Sequence, residues 1–256
     1  MSVPWIGALI LLGSISAHAQ SWLPRQTGST NEVVAHTAYT LSYDERHEVA
    51  AWVGHALRPE HLRDCVGRSN AFFIDPVLRA GSADGDDYRG SGYDRGHLAP
   101  AGDMKWSAAA MKESFYYSNI TPQRPAMNRG KWMQLETLVR AWAKTQDEVI
   151  VIAGPVLGQL TGAIGPNRVS VPALHFKVLL ATRGGVRKAI GFVMDQDPQA
   201  RDLSAYVLPV RDIERLAGWD FFPHLPRREQ DRLETTVDMA AWDFRATFSY
   251  AACRSR

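Results

Sequence analysis

Apolar and polar positions change period several times along the chain. Residues 39–43 (YTLSY), a polar turn at Asp44, Glu45 and Arg46, and residues 49–57 read as a β-hairpin. Residues 72–74 read as a short strand ending at Asp75-Pro76, residues 79–92, dense in Gly, Asp and Ser, as a loop, and residues 116–121 as another short strand. From 129 to 146 the period turns helical, with Leu135, Leu138, Val139 and Trp142 on one stripe. Residues 149–153, 169–181 and 186–194 are β-rich; residues 209–216 form a helix opened by proline and closed by Gly218, and 227–234 a second, polar helix. Strands and helices mix without a βαβ rhythm, without repeats and without a long linker. The expectation is a single α+β domain.

Residues 5–17 (WIGALILLGSISA) are an uncharged apolar run followed by the small-x-small pattern Ala17-His18-Ala19. A membrane span needs about 20 apolar residues, so the run fits a secretory signal cleaved after Ala19 better than an uncleaved anchor. A mitochondrial presequence would be rich in Arg, and the first Arg is Arg25. This gives a signal at 1–19, an amino-terminal extension at 20–38 and a domain at 39–256. Two cysteines, Cys65 and Cys253, could join in one disulfide in an exported chain, or remain two separate buried thiols. No CxxC and no Cys/His zinc spacing is present.

With 45% hydrophobic and 22% charged residues, the chain is outside the disordered class. Net charge is only +2, but 23 of 29 basic residues are Arg, whose planar fork suits phosphate and carboxylate. Between 89 and 144 lie nine basic and four acidic residues, a basic window in a near-neutral protein. A phosphate-binding face requires such a window, and an ordinary solvated surface also produces one.

The same window holds the chemistry. His97 stands apart from the other histidines in the run Asp94-Arg95-Gly96-His97, between a glycine-rich loop and Pro100. There Gly96 permits close backbone approach, Arg95 can pair a phosphate oxygen, and a neutral imidazole can take a proton from water. Asn128 opens the predicted helix, and Glu136 and Arg140 follow it, about 80° and 120° round at helical spacing. All three are expected to flank the core rather than enter it. An oxygen donor at Asn128 suits Mg²⁺, which keeps most of its waters; Glu136 and Arg140 also have the spacing of a surface i,i+4 salt bridge.

These residues together amount to a resemblance. The run Asp94–His97 with Asn119, Asn128, Glu136 and Arg140 at these intervals resembles the DNA/RNA non-specific endonuclease family of the ββα-metal type. The string DYRGSGYDRGH, LRPEHL at 57–62 and VPALHFKVLL at 171–180 are most similar to its endonuclease G branch. The resemblance implies an α+β domain with antiparallel sheets around a ββα-metal motif, and a metal-dependent phosphodiesterase acting on DNA and RNA. It implies His97 as general base, Asn128 as ligand of Mg²⁺ (Mn²⁺ substituting), Glu136 holding the ion's water shell, and Arg95 and Arg140 on the phosphate. Asn119 would hydrogen-bond within the site, Arg68 is the nearest counterpart of an upstream substrate arginine, and a homodimer is expected. The amino terminus departs from the mitochondrial leader of endonuclease G. The competing class is a nucleic-acid-binding protein without turnover, indifferent to chelators; a serine hydrolase or zinc protease is excluded by the absence of GxSxG and HExxH.

Overall fold

The computed structural model describes residues 22–26 and 29–253, so the export-signal reading at 1–19 lies outside the described residues. Seven strands build the main sheet in the order β1–β2–β3–β7–β10–β11–β12, every neighbouring pair antiparallel. They are β1 (Glu32–Ala35), β2 (Thr40–Asp44), β3 (Val49–Leu57), β7 (Glu148–Pro155), β10 (Leu174–Arg183), β11 (Val186–Asp195) and β12 (Val207–Leu208). Three two-stranded sheets flank it. β5 (Asp94–His97) pairs with β6 (Ile120–Gln123), β8 (Leu160–Ile164) with β9 (Val169–Pro172), and β4 (Arg63–Asp64) with β13 (Ala251–Ala252). The mixed class and the antiparallel pairing agree with the sequence reading.

The central strands read as almost continuous apolar runs because both faces of the sheet are covered. Val149, Val151 and Ala153 pack towards the helix Met133–Ala143, with Leu135, Leu138, Val139 and Trp142 as its apolar stripe. Their alternates Ile150 and Ile152 pack on the opposite side with Phe176 and Val178 against Val210, Ile213 and Leu233 of the two carboxyl-terminal helices, Val210–Ala217 and Arg227–Glu234. Among the described residues no helix is long and apolar enough to cross a membrane.

Local departures from the sequence reading have local causes. Of residues 72–74 only Phe73 pairs, in a single bridge to Tyr116. The loop at 79–92 contains one helical turn, Gly85–Tyr88, because Asp84 and Asp87 form a reciprocal capping box. The strand expected at 116–121 begins at Ile120, after a 3₁₀ turn at Tyr117–Asn119. The β run at 169–181 breaks after Pro172, which has no N–H to continue a ladder. The helix expected from 129 is regular only from Met133. Before it lies a widened turn, Met127–Trp132, where Gly130 leaves helical backbone (φ −108°, ψ −110°). Helical angles counted across Gly130 therefore do not hold.

Candidate nuclease active site

Two strands and a helix frame the site. In β5 and β6 the register sets Asp94 opposite Gln123, Gly96 opposite Thr121 and His97 opposite Ile120. The glycine at 96 is required by packing: a Cβ there would lie 2.2 Å from the Gln123 side chain. So Gly96 admits a buried neighbouring side chain, where the sequence suggested an approach of ligand to backbone.

His97 closes β5 and is 7% exposed. Phe115 meets its ring edge-on at 4.8 Å, and the Trp132 indole N–H donates to its backbone carbonyl (3.3 Å). The ring nitrogen Nε2 is buried without a hydrogen-bond partner. Burial, then the charges of Arg68 and Arg95, hold the imidazole well below its ordinary value, at about 3. Arg95 lies over the Phe72 ring at 4.1 Å and Arg68 over Phe115 at 5.3 Å. Two exposed arginines from separate segments therefore converge on one neutral imidazole.

At the other end of the same strand Asp94 fixes Asn128. Asn128 Nδ2 donates to Asp94 Oδ2 (2.9 Å), and Arg129 donates to both carboxylate oxygens through Nε (2.7 Å) and Nη2 (2.5 Å). Burial raises the Asp94 carboxyl, but the hydrogen bonds from Arg129 and Asn128 outweigh it and the net shift is downward. An anionic Asp94 accepts only, so it selects the amide nitrogen and turns the Asn128 oxygen away from itself. Three residue steps along β5 place Asp94 and His97 roughly 10 Å apart.

Asn119 is fully buried and its amide is committed: Nδ2 donates to the carbonyls of Ala99 (2.9 Å) and Ser114 (2.8 Å), and Oδ1 accepts from the Ala99 N–H (2.8 Å). It fastens the segment that leaves His97. Glu136 is half-buried, with no hydrogen bond or ion pair to any described residue. Burial pushes its carboxyl up to about 7, against the charges of Lys177 and Arg140.

Arg140 is placed differently from the sequence reading. It is 7% exposed, inside rather than flanking the core, and makes no salt bridge to Glu136. Its Nη1 donates to Asp103 Oδ1 (2.8 Å) and its Nη2 to Thr137 Oγ1 (3.1 Å). Asp103 in turn bonds His55 Nε2 (2.9 Å). Burial raises the Asp103 carboxyl, and His55 and Arg140 more than reverse that. Lys177 on β10 completes this group, its Nζ 4.4 Å from the centre of the Trp132 ring. Asp103 and Lys177 carried no role in the sequence reading. The available signal was Lys177 itself, a charge inside the apolar strand LHFKVLL.

Among the described residues, no cluster of three or more His, Cys, Asp or Glu could cage a metal. The oxygen donors in the residues the sequence reading singled out are the Asn128 carboxamide, whose nitrogen is committed to Asp94, and the Glu136 carboxylate. That set fits a hard, largely hydrated ion held by few protein contacts.

His97 is thus a buried, neutral imidazole with Arg68 and Arg95 near it, and Asp94 at the other end of its strand holds the Asn128 amide. The family model for the DNA/RNA non-specific endonucleases matches residues 24–228, and the chain belongs to this family. Among relatives, the mitochondrial endonuclease G of Bos taurus is 39% identical over 212 residues, 77% of this chain and 71% of its own. The mitochondrial nuclease EXOG of Homo sapiens is 36% identical over 232 residues, covering 81% of this chain and 61% of that protein. Nuclease C1 of Cunninghamella echinulata is 33% identical over 220 residues, with 77% and 85% covered. The solved structure of the EndoG/EndoGI complex superposes with a TM-score of 0.73 at 32% identity, covering 82% of this chain and 91% of that one. Family and relatives together support a nuclease, a hydrolase of nucleic-acid phosphodiesters.

Proposed function

We propose that this chain is a metal-dependent endonuclease that hydrolyses DNA and RNA without sequence preference, with His97 as general base and one divalent ion, Mg²⁺ or Mn²⁺, held by Asn128. The observation that carries the reading is a His97 imidazole kept neutral by burial and by Arg68 and Arg95, on the strand whose Asp94 orients Asn128.

A phosphodiester resists hydrolysis because its anion repels the nucleophile and its alkoxide leaves poorly. Bound at Asn128, a divalent ion would offset charge on the non-bridging and departing 3′ oxygens. His97 takes the proton of the attacking water. Burial and its two arginines keep it unprotonated at neutral pH, and a phosphate anion lying between Arg68 and Arg95 offsets those charges and strengthens the base as substrate binds. Glu136 would accept hydrogen bonds from water on such an ion. Arg140, committed to Asp103, acts from behind as a fixed positive charge near Glu136 rather than as a phosphate ligand. Asn119 positions the chain after His97 and has no donor left for substrate.

The breadth of substrate follows from what these groups can touch. Phosphate contacts carry no sequence information, and a water nucleophile makes no use of a 2′-hydroxyl. Cleavage after Ala19, export to the periplasm or medium, and a homodimer belong to the same proposal. The relatives named mitochondrial are nucleases by name, and the Cys65–Cys253 bridge supports an oxidising compartment for this chain.

The test is purified protein with supercoiled plasmid and with single-stranded RNA, each with Mg²⁺ or EDTA. Both substrates should be cut with Mg²⁺ and spared in EDTA. Binding without shortening, indifferent to chelator, would instead establish a non-catalytic nucleic-acid-binding protein.

A further inference from the structure

The last described residues, 243–253, lie beyond the part of the chain matched by the family model. After a turn closed by the Ala246 N–H to the Asp243 carbonyl (3.2 Å), they run as a strap; Phe244, Ala246, Phe248 and Tyr250 are half-buried and the residues between them exposed. The strap starts on the site helix, where the Trp142 indole N–H donates to the Asp243 carbonyl (2.8 Å) and Phe244 meets the Trp142 ring edge-on at 5.5 Å. It then crosses behind the site. Phe248 lies 5.5 Å from the Arg140 guanidinium and meets Tyr250 edge-on at 4.6 Å. The Tyr250 hydroxyl donates to the Gly102 carbonyl (2.8 Å), next to Asp103. A Cβ on Gly102 would lie 2.7 Å from Arg140 Nη1 and 3.0 Å from the Tyr250 oxygen, so Gly102, Arg140 and the strap are in close contact.

The strap's end is held by the Tyr250 contacts, to the Gly102 carbonyl and to Lys105 Nζ 4.7 Å from the ring centre, by a short strand pairing and by one covalent bond. β13 contributes two exposed residues in parallel register with Arg63 and Asp64, and Ala251 N–H donates to Leu62 (2.9 Å). Beyond this the attachment is the Cys65–Cys253 disulfide, which joins positions 188 residues apart. Cys65 stands three residues before Arg68, and Cys253 is exposed to small thiols.

We propose that the strap is a positioning element for the candidate nuclease site. Phe248 and Tyr250 seat the Arg140–Asp103 pair behind Glu136, and the Cys65–Cys253 bridge keeps the strap seated, so that full turnover requires the oxidised protein. This rests on the nuclease reading above and adds its regulation. A dithiol reductant reverses the state: its thiolates break the S–S bond, Cys65 and Cys253 become thiols, and the reductant becomes the disulfide, two electrons and two protons having passed to the protein. In a reducing compartment the chain would therefore be a slow nuclease with a normal fold, and oxidation would bring it to full rate.

The experiment compares oxidised protein, protein reduced with dithiothreitol, and the oxidised variants Phe248→Ala and Phe248→Tyr, each checked for fold by circular dichroism. Plasmid cleavage gives kcat and KM, and brief trypsin treatment reports the strap through cleavage after the exposed Arg245. Reduction and Phe248→Ala should each lower kcat about tenfold to a hundredfold, the scale expected for misplaced site groups, with KM within about twofold. Phe248→Tyr should restore the rate, and reduction should open Arg245 to trypsin. A reduced protein with unchanged kcat, or an Arg245 equally resistant in both states, overturns the proposal. So does an oxidised, folded Phe248→Ala protein of full rate, which settles the matter even if reduction unfolds the chain. An oxidised protein that cuts nothing refutes the nuclease reading instead, and the trypsin result still decides how the strap is held.

Discussion

The two faces of the main sheet are built by the same strands, and only one of them mixes buried charge into its apolar packing. On the face covered by the carboxyl-terminal helices, Ile150, Ile152, Phe176, Val178 and Leu180 make an uninterrupted apolar layer. On the other face the alternate positions include His55, His175 and Lys177, and over them lie Asp103, Glu136 and Arg140. Burying ions costs free energy that close pairing only partly returns. Apolar packing thus stabilises the fold on both faces, with Val149, Val151 and Ala153 against Leu135, Leu138, Val139 and Trp142 on the second, and only the second also holds buried charges within the sheet, where catalysis would use them. Orphaned polar atoms occur on both sides: Trp22 Nε1, Trp52 Nε1 and Glu234 Oε1 on the first, and on the second Nε2 of His97, Nδ1 of His175, Nε of Arg140 and both amide atoms of Gln123, which gather around the candidate site.

Three substitutions separate the faces. The largest effect is expected from His97→Ala, which should lower kcat about 10²–10⁴-fold, the usual worth of a general base. Affinity for a short duplex in EDTA should change little, as read by fluorescence anisotropy; a variant that cleaves at the wild-type rate removes His97 as base. Next is Phe176→Ala, in the apolar layer against Phe221. It should cost about 3–5 kcal/mol in denaturant unfolding and leave kcat intact well below the melting temperature. A loss of rate without a loss of stability would break the division between the faces.

The smallest effect is expected from Glu136→Gln, and it depends on pH. A carboxyl raised by burial binds its proton more tightly in the folded state. Its contribution to stability is therefore full below its ordinary value near 4.5 and is lost as pH rises through about 7. Melting temperatures of wild type and Glu136→Gln should agree in acid, and the variant should be the more stable at pH 8. Identical melting profiles across pH would show that Glu136 is not a strained, buried acid.

Much of the site could be read from the sequence because its signal is local. Asp94 to His97 are contiguous on one strand, and Asn128 follows at a fixed interval. The apolar stripe of Leu135, Leu138, Val139 and Trp142 gave the helix that carries Glu136. Arg140 was harder, because the change of course at Gly130 removes the helical phase that linked it to Asn128, and its partner Asp103 comes from a separate 3₁₀ turn, Ala101–Met104. The pairing of Cys65 with Cys253 depends on bringing their Cα atoms to 4.8 Å across 188 residues, which no local pattern encodes. The strap has alternating burial, yet it pairs with no strand until Ala251, and its place behind the site depends on contacts with Trp142, Arg140 and Gly102 far away in the chain.

The Asp94–Asn128 hydrogen bond also constrains which residue can occupy position 128. An aspartate there would be the stronger anchor for a cation, yet it would set two carboxylates 2.9 Å apart, at the distance now spanned by amide and acid. One of the two would have to keep a proton or swing aside, and either outcome weakens the orientation that Asp94 provides. The neutral side chain is thus the stronger choice in context: the neighbour that aims it is itself an anion.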